Sequence, residues 1–117
     1  MSLFTRLKHA NARGFANCVT CGKPTHYTKG NAGHFIHNHL DYDEINVNEQ
    51  CRRCNKWLHG NLINYYNYLL LKYGKEKLDN LIQRGKAKQE YTEEELQKIL
   101  IELTKKLESV KNGTYIC

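Results

Sequence analysis

Four cysteines stand in two pairs, Cys18-x-x-Cys21 and Cys51-x-x-Cys54. A gap of two residues lets both sulfurs of a pair reach one ion, and two such pairs complete a tetrahedral set of soft ligands for Zn²⁺. Four thiolates leave no open position for water or substrate, so the site reads as structural. Zinc here joins a knuckle near residue 20 to the start of a helix near residue 54. The chain between becomes a closed loop with pinned ends. Within that loop, or directly against it, lie His34, Asn46 and Asn55. A neutral imidazole takes a proton from water near pH 7. An amide oxygen is a hard donor for an ion such as Mg²⁺, which keeps several of its own waters and needs one or two protein oxygens. A second amide on the facing strand can bond backbone groups beyond strand one and hold His34. Phosphodiester hydrolysis asks for this set.

The elements that must position these groups are legible from periodicity and breakers. Residues 3–12 form a short helix closed by Gly14, so residues 1–14 are an N-terminal helical part. Residues 15–60 are the zinc-stapled core. It contains the knuckle Cys18–Pro24, a strand over 32–37, a polar turn over 40–44, a second strand over 45–48 and a helix from Cys51. Gly60 and Asn61 are read as the C-cap of that helix and the N-cap of the next. Residues 61–111 are helical. Leu62, Tyr65, Tyr66, Leu69, Leu70 and Tyr73 share a face before Gly74, and Leu78, Leu81 and Ile82 make a second short amphipathic helix. Thr92-Glu-Glu-Glu95 is a capping box that opens the last helix. Its stripe is Leu96, Ile99, Leu100, Leu103, Leu107 and Val110. The expected class is α+β, mostly helical, in one domain.

The chain has 117 residues and a formal charge of +6. One domain of this size buries a modest core, which a structural metal reinforces. The charge suits a polyanionic partner. It leans toward the half that holds the motifs: residues 1–60 carry 8 Lys/Arg and 4 Asp/Glu, the remainder 10 and 8. The longest apolar run, Leu69–Leu71, is far too short for a bilayer, so no membrane partner is expected, and no leader is read at the start. Paired C-x-x-C units point to a reducing compartment, with Cys117 left over.

A histidine ending one strand, an asparagine on the next and a ligand early in the following helix resemble the ββα-metal pattern of HNH, or His-Me finger, nucleases. Cys51-Arg-Arg-Cys54-Asn55 resembles the corner of the phage T4 endonuclease VII family, which joins a zinc cysteine to a catalytic-metal asparagine. Cys18-Val-Thr-Cys21-Gly22, Ala32-Gly33-His34-Phe35, Asn46-Val47-Asn48-Glu49-Gln50-Cys51 and Cys54-Asn55-Lys56-Trp57-Leu58 are similar to the lambda-phage NinG (Rap) recombination-endonuclease family, over roughly residues 15–111. The resemblance implies a zinc-bound ββα-metal core followed by C-terminal helices. It implies a DNA endonuclease in the cytoplasm of a bacterial host, acting on branched recombination DNA such as Holliday junctions and D-loops. His34 would be the general base, Asn46 its support and Asn55 the ligand of a catalytic Mg²⁺ or Mn²⁺. Many HNH nucleases place Asp before the histidine as a second metal ligand. Gly33 stands there instead, as in the nonspecific nucleases of the same superfamily, which hold their metal mainly through one asparagine. His37, His39 and Asp41 are candidate further ligands.

Other readings stand beside this one: a sequence-specific or nonspecific HNH nuclease, or a non-catalytic zinc module that binds nucleic acid. Arg52, Arg53, Lys56 and His59 flank Asn55 as phosphate contacts, with a solvated face as the alternative. Tyr65, Tyr66, Tyr68 and Tyr73 can stack on bases but read better as core beside leucines. The stripe of the last helix packs on the two preceding helices or, in a homodimer, on a partner chain.

Overall fold

Gly33 and Gln50 pack closely against each other in the small sheet that carries His34. The computed structural model describes residues 2–37, 40, 42–86 and 91–113. Its elements run in chain order: α1 (Ser2–Leu7), β1 (Phe15–Asn17), β2 (Pro24–His26), β3 (Asn31–His34), β4 (Val47–Gln50), a π-helical turn (Arg53–Trp57), α2 (Leu62–Tyr73), α3 (Lys75–Lys86) and α4 (Glu93–Lys111). The class is α+β, about half helical, with two small antiparallel sheets. β1 pairs with β2, and the Cys18–Cys21 knuckle is the turn between them. β3 pairs with β4 in the register Asn31↔Gln50, Ala32↔Glu49, Gly33↔Asn48, His34↔Val47.

Gly33 pairs with Asn48, and Gln50, two residues further along β4, lies on the same face of the sheet. Gly33 is buried, and a side chain there would collide with that of Gln50. Gln50 cannot yield, because its Nε2 donates to Thr20 Oγ1 at 3.1 Å and to the Gly60 carbonyl at 2.8 Å. Glycine at 33 is therefore a packing requirement.

Strand one ends at His34, short of the expected residue 37. The reason is local: the N–H and C=O of Ile36 are taken by the Asn46 side chain and not by a ladder. β4 runs two residues past the expected end because Asn31 pairs with Gln50. α1 is shorter than expected, and β1–β2 was not foreseen as a sheet. The expected helix from Cys51 is only one π-helical turn, closed by the Gly60 N–H donating to the Cys54 carbonyl at 2.8 Å. Gly60, at φ +89°, ends it as a glycine can. Asn61 is not a side-chain N-cap: it sits at φ +49° and its Nδ2 points to Cys54 Sγ at 3.7 Å. The capping box of α4 forms as read, with Thr92 and Glu95 reciprocally bonded.

The apolar face of α2 does what its spacing requires. Tyr65 and Leu69 are fully buried with Leu40, Leu78 and Leu81, and Tyr66, Tyr68, Tyr73, Phe35, Ile36 and Ile82 pack around them. Burying each such leucine contributes about 1.5–3 kcal/mol. The α4 stripe packs elsewhere than expected. Val110 lies beside Leu3 and Leu7 of α1, and Ile99 and Leu103 lie beside Leu40, Tyr42 and Asp43. Leu96 and Leu100 of the same stripe stay exposed. Among the described residues no helix is long and apolar enough to cross a membrane.

Candidate functional site

The cysteine cluster forms. The sulfurs of Cys18, Cys21, Cys51 and Cys54 all lie within 4.8 Å of one another, with Cys21 and Cys51 at 3.7 Å. A Zn–S bond of about 2.3 Å gives a tetrahedral edge of about 3.8 Å, so the donor set fits one zinc ion. Cys18, Cys51 and Cys54 are buried, and Cys21 is exposed. The knuckle closes on itself, with the Gly22 N–H donating to the Cys18 carbonyl at 2.8 Å. Burial raises the Cys18 thiol, but the Thr20 hydroxyl and the backbone amides of the cluster outweigh it and bring it down to about 6. Burial pushes the Cys51 thiol up. Thiolate, not thiol, is the zinc ligand, so metal binding at this cluster releases protons.

Asn46 is fully buried directly before β4. Its Oδ1 accepts from the Ile36 N–H at 2.8 Å, and its Nδ2 donates to the carbonyls of Ile36 at 2.9 Å and Leu40 at 3.2 Å. The segment before it is fixed in turn. Asp43 accepts from the N–H groups of Ile45 and Asn46, Arg84 of α3 pairs with Asp43 at 2.7 Å, and Lys106 of α4 pairs with Glu44 at 2.5 Å. Lys8 adds a bond to the Glu44 carbonyl at 3.0 Å. The far helices thereby hold the loop that delivers Asn46.

His34, at the end of β3, is half-buried and stacks on the exposed His37, with ring centroids 5.4 Å apart and 17° between planes. Behind it, the Tyr65 hydroxyl donates to the Gly33 carbonyl at 2.7 Å and accepts from Asn48 Nδ2 at 3.2 Å. Burial pushes the Tyr65 phenol well above its usual value of 10, so it stays a donor. Tyr65 is the residue that the sequence reading missed as part of the site. Nothing in helical spacing separates it from Tyr66 or Tyr68.

Asn55 follows Cys54 in the π-helical turn and is half-buried, its N–H donating to the Cys51 carbonyl at 3.0 Å. No side-chain bond joins Asn55 to His34 among the described contacts. Arg52, Arg53, Lys56 and His59 are all exposed around it. Among the described residues the cysteines are the one set of three or more His, Cys, Asp or Glu placed to hold a metal. His37 joins no such set, and His39, Asp41 and Cys117 lie outside the described residues. A second buried group was not foreseen. Glu49 is fully buried on β4, neither carboxylate oxygen has a partner among the described residues, and burial raises it to about 8 despite nearby Arg6.

Sequence comparison relates the chain to known proteins. No solved structure matches. The family described as "Bacteriophage Lambda NinG protein" matches residues 3–113. Protein ninG of Escherichia phage 933W and of Escherichia phage lambda are each 31% identical over 100 residues, covering 82% of this chain and 49% and 48% of theirs. Protein ninG of Salmonella phage P22 is 30% identical over 100 residues, again 82% of this chain and 48% of its own. The match spans about half the length of these relatives. With nearly every described element inside the matched span, the chain belongs to the NinG family.

Proposed function

We propose that this chain is a metal-dependent DNA endonuclease of the HNH type, acting on branched recombination DNA such as Holliday junctions and D-loops in a bacterial host cell. The observation that carries the reading is the Asn46 clamp. A fully buried amide bonds both backbone groups of Ile36, two residues beyond His34, in a hairpin whose far end runs into the cysteine cluster. A purely structural zinc knuckle has no use for an imidazole held in this way.

In this account His34 takes the proton from the attacking water, a role that suits a neutral imidazole near pH 7. His37, stacked on it, limits its rotation. Asn46 and Tyr65 fix the backbone on either side of His34. The carbonyl oxygen of Asn55 offers one hard donor, held in place by Cys54 beside it. One protein oxygen suits an ion that keeps most of its waters, and Gly33 leaves no room for the aspartate that other HNH nucleases add. When bound there, Mg²⁺ or Mn²⁺ supplies positive charge against the phosphoryl and leaving oxygens. Arg52, Arg53, Lys56 and His59 bind flanking phosphates. Two chains acting together would cut the two strands of a junction, and α4 leaves Leu100 and Ile101 exposed for a partner.

The test is cleavage of an oligonucleotide four-way junction and a linear duplex of equal length, with Mg²⁺ or Mn²⁺ supplied or withheld. Cleavage of the junction that needs the ion and exceeds duplex cleavage supports the reading. Tight junction binding with no cleavage under any ion supports a non-catalytic zinc module instead.

A further inference from the structure

The turn after the cysteine corner holds the bulkiest apolar side chain of the protein in solvent. Trp57, the sole tryptophan, is 74% exposed. Leu58, Leu62 and Ile63 are exposed with it, Ile63 at 80%. The segment is anchored in this outward position on both sides. Cys54 is locked in the cluster, and Gly60 is held by its N–H on Cys54 and by Gln50 on its carbonyl. Between them His59, Gly60 and Asn61 run at φ +50°, +89° and +49°. Left-handed residues other than glycine cost free energy and persist only where the surroundings enforce them. The fold therefore displays Trp57 and gives it no route to the core.

The surroundings of this patch carry one sign of charge. Between Glu49 and Glu76 the chain has no carboxylate side chain and five Lys/Arg. Arg52, Arg53, Lys56 and His59 are exposed within the same turn. A cationic surface with an aromatic ring at its centre matches a nucleic-acid strand, phosphates against the cations and a base against the ring. A paired duplex offers no free base face without unstacking. A branch point at which a strand leaves the duplex, as in a D-loop or a fork, offers one.

We infer that Trp57 stacks on an unpaired nucleobase, with the adjoining phosphates on Arg53 and Lys56, and that this contact gives the protein its preference for branched DNA. The inference rests on the proposed reading of DNA as substrate and adds the group that recognises the branch.

The sole tryptophan makes the contact directly observable. The zinc-loaded protein is titrated, without Mg²⁺ or Mn²⁺, with three oligonucleotides: a fork with one unpaired base at the branch, the same fork with an abasic residue there, and a perfect duplex. Emission of Trp57 is quenched by the first and much less by the other two. Trp57→Ala, with zinc content and circular dichroism unchanged, weakens fork binding by about fivefold or more and leaves duplex binding unchanged, while Trp57→Phe falls between. Fork binding with unchanged emission and no loss in Trp57→Ala overturns the inference and leaves the DNA reading standing. Failure to bind any of the three overturns both. Quenching that follows protein concentration without DNA, with a dimer in sedimentation, shows a second copy covering the patch and overturns the inference.

Discussion

Asn46 holds Ile36 by both of its backbone groups, accepting from its N–H at 2.8 Å and donating to its carbonyl at 2.9 Å. A carboxamide carries its acceptor and its donors on separate atoms, so it can bond an N–H and a carbonyl at once. Asn46→Ala takes away the side-chain partner of the N–H and of the carbonyl of Ile36, and each such group left unpaired costs about 1–3 kcal/mol. The variant is expected to lose stability in urea titration and most of its cleavage. Asn46→Asp keeps the acceptor for Ile36 N–H and loses the donor, so it is expected to fall between. An Asn46→Ala protein as stable and active as the parent would remove the clamp from the account.

Tyr65 supports the same segment from the opposite side. Tyr65→Phe keeps the ring in the core and deletes the bond to the Gly33 carbonyl. A loss of about 0.5–1.5 kcal/mol follows from the deleted hydrogen bond. Because His34 is the next residue, kcat is expected to fall while DNA affinity holds. Loss of affinity with unchanged kcat would show that Tyr65 does not position His34.

The cysteine cluster brings the turn after β1 together with the residues that follow β4. Cys51→Ser is expected to abolish stoichiometric zinc and cooperative unfolding, because ligand binding energy in such sites is folding energy. Metal analysis and thermal melts check this. Zinc-free protein that melts like the parent would refute a structural ion.

His9 gives a pH dependence of defined sign. Its ring lies against Lys72, with Nε2 3.2 Å from Nζ, and burial together with Lys72 and Lys8 lowers it from 6.5 to about 4. The folded protein thus binds fewer protons than the unfolded chain between these values. Stability from this group is fully present above pH 6.5 and is lost as the pH falls toward 4. Glu49, raised from 4.5 to about 8, titrates with the opposite sign, stabilising at acid pH and losing that contribution as the pH rises. The difference between the parent and His9→Asn isolates the histidine. Urea midpoints are expected to fall more steeply in the parent between pH 6.5 and 4. Parallel curves would contradict the assignment.

What the sequence disclosed depended on how local the determining interaction is. The two C-x-x-C pairs are set by ligand spacing, and α2 and the α4 cap by periodicity and a capping box, all readable over a few residues. The end of β3 was not readable, because it is decided by Asn46, ten residues away in sequence, competing for the backbone of Ile36. Asn61 has the residue type of an N-cap, but the closed cysteine corner forces it into a left-handed conformation and turns its amide toward Cys54. Gly33 was noticed as a departure from a nuclease pattern. Its cause, the pinned side chain of Gln50, is tertiary. Tyr65 was placed correctly in the core, while its hydroxyl contacts required the fold.

The central claim is that His34 is the base of a DNA-cutting site. The most direct measurement is the single-turnover rate of junction cleavage by the parent and by His34→Ala, each with zinc content, melting temperature and junction affinity measured on the same preparation. The account predicts a rate lower by about 10²–10⁴ in the variant, the usual cost of a lost general base, with the other three properties unchanged. A His34→Ala protein that cleaves at the parent's rate would contradict it.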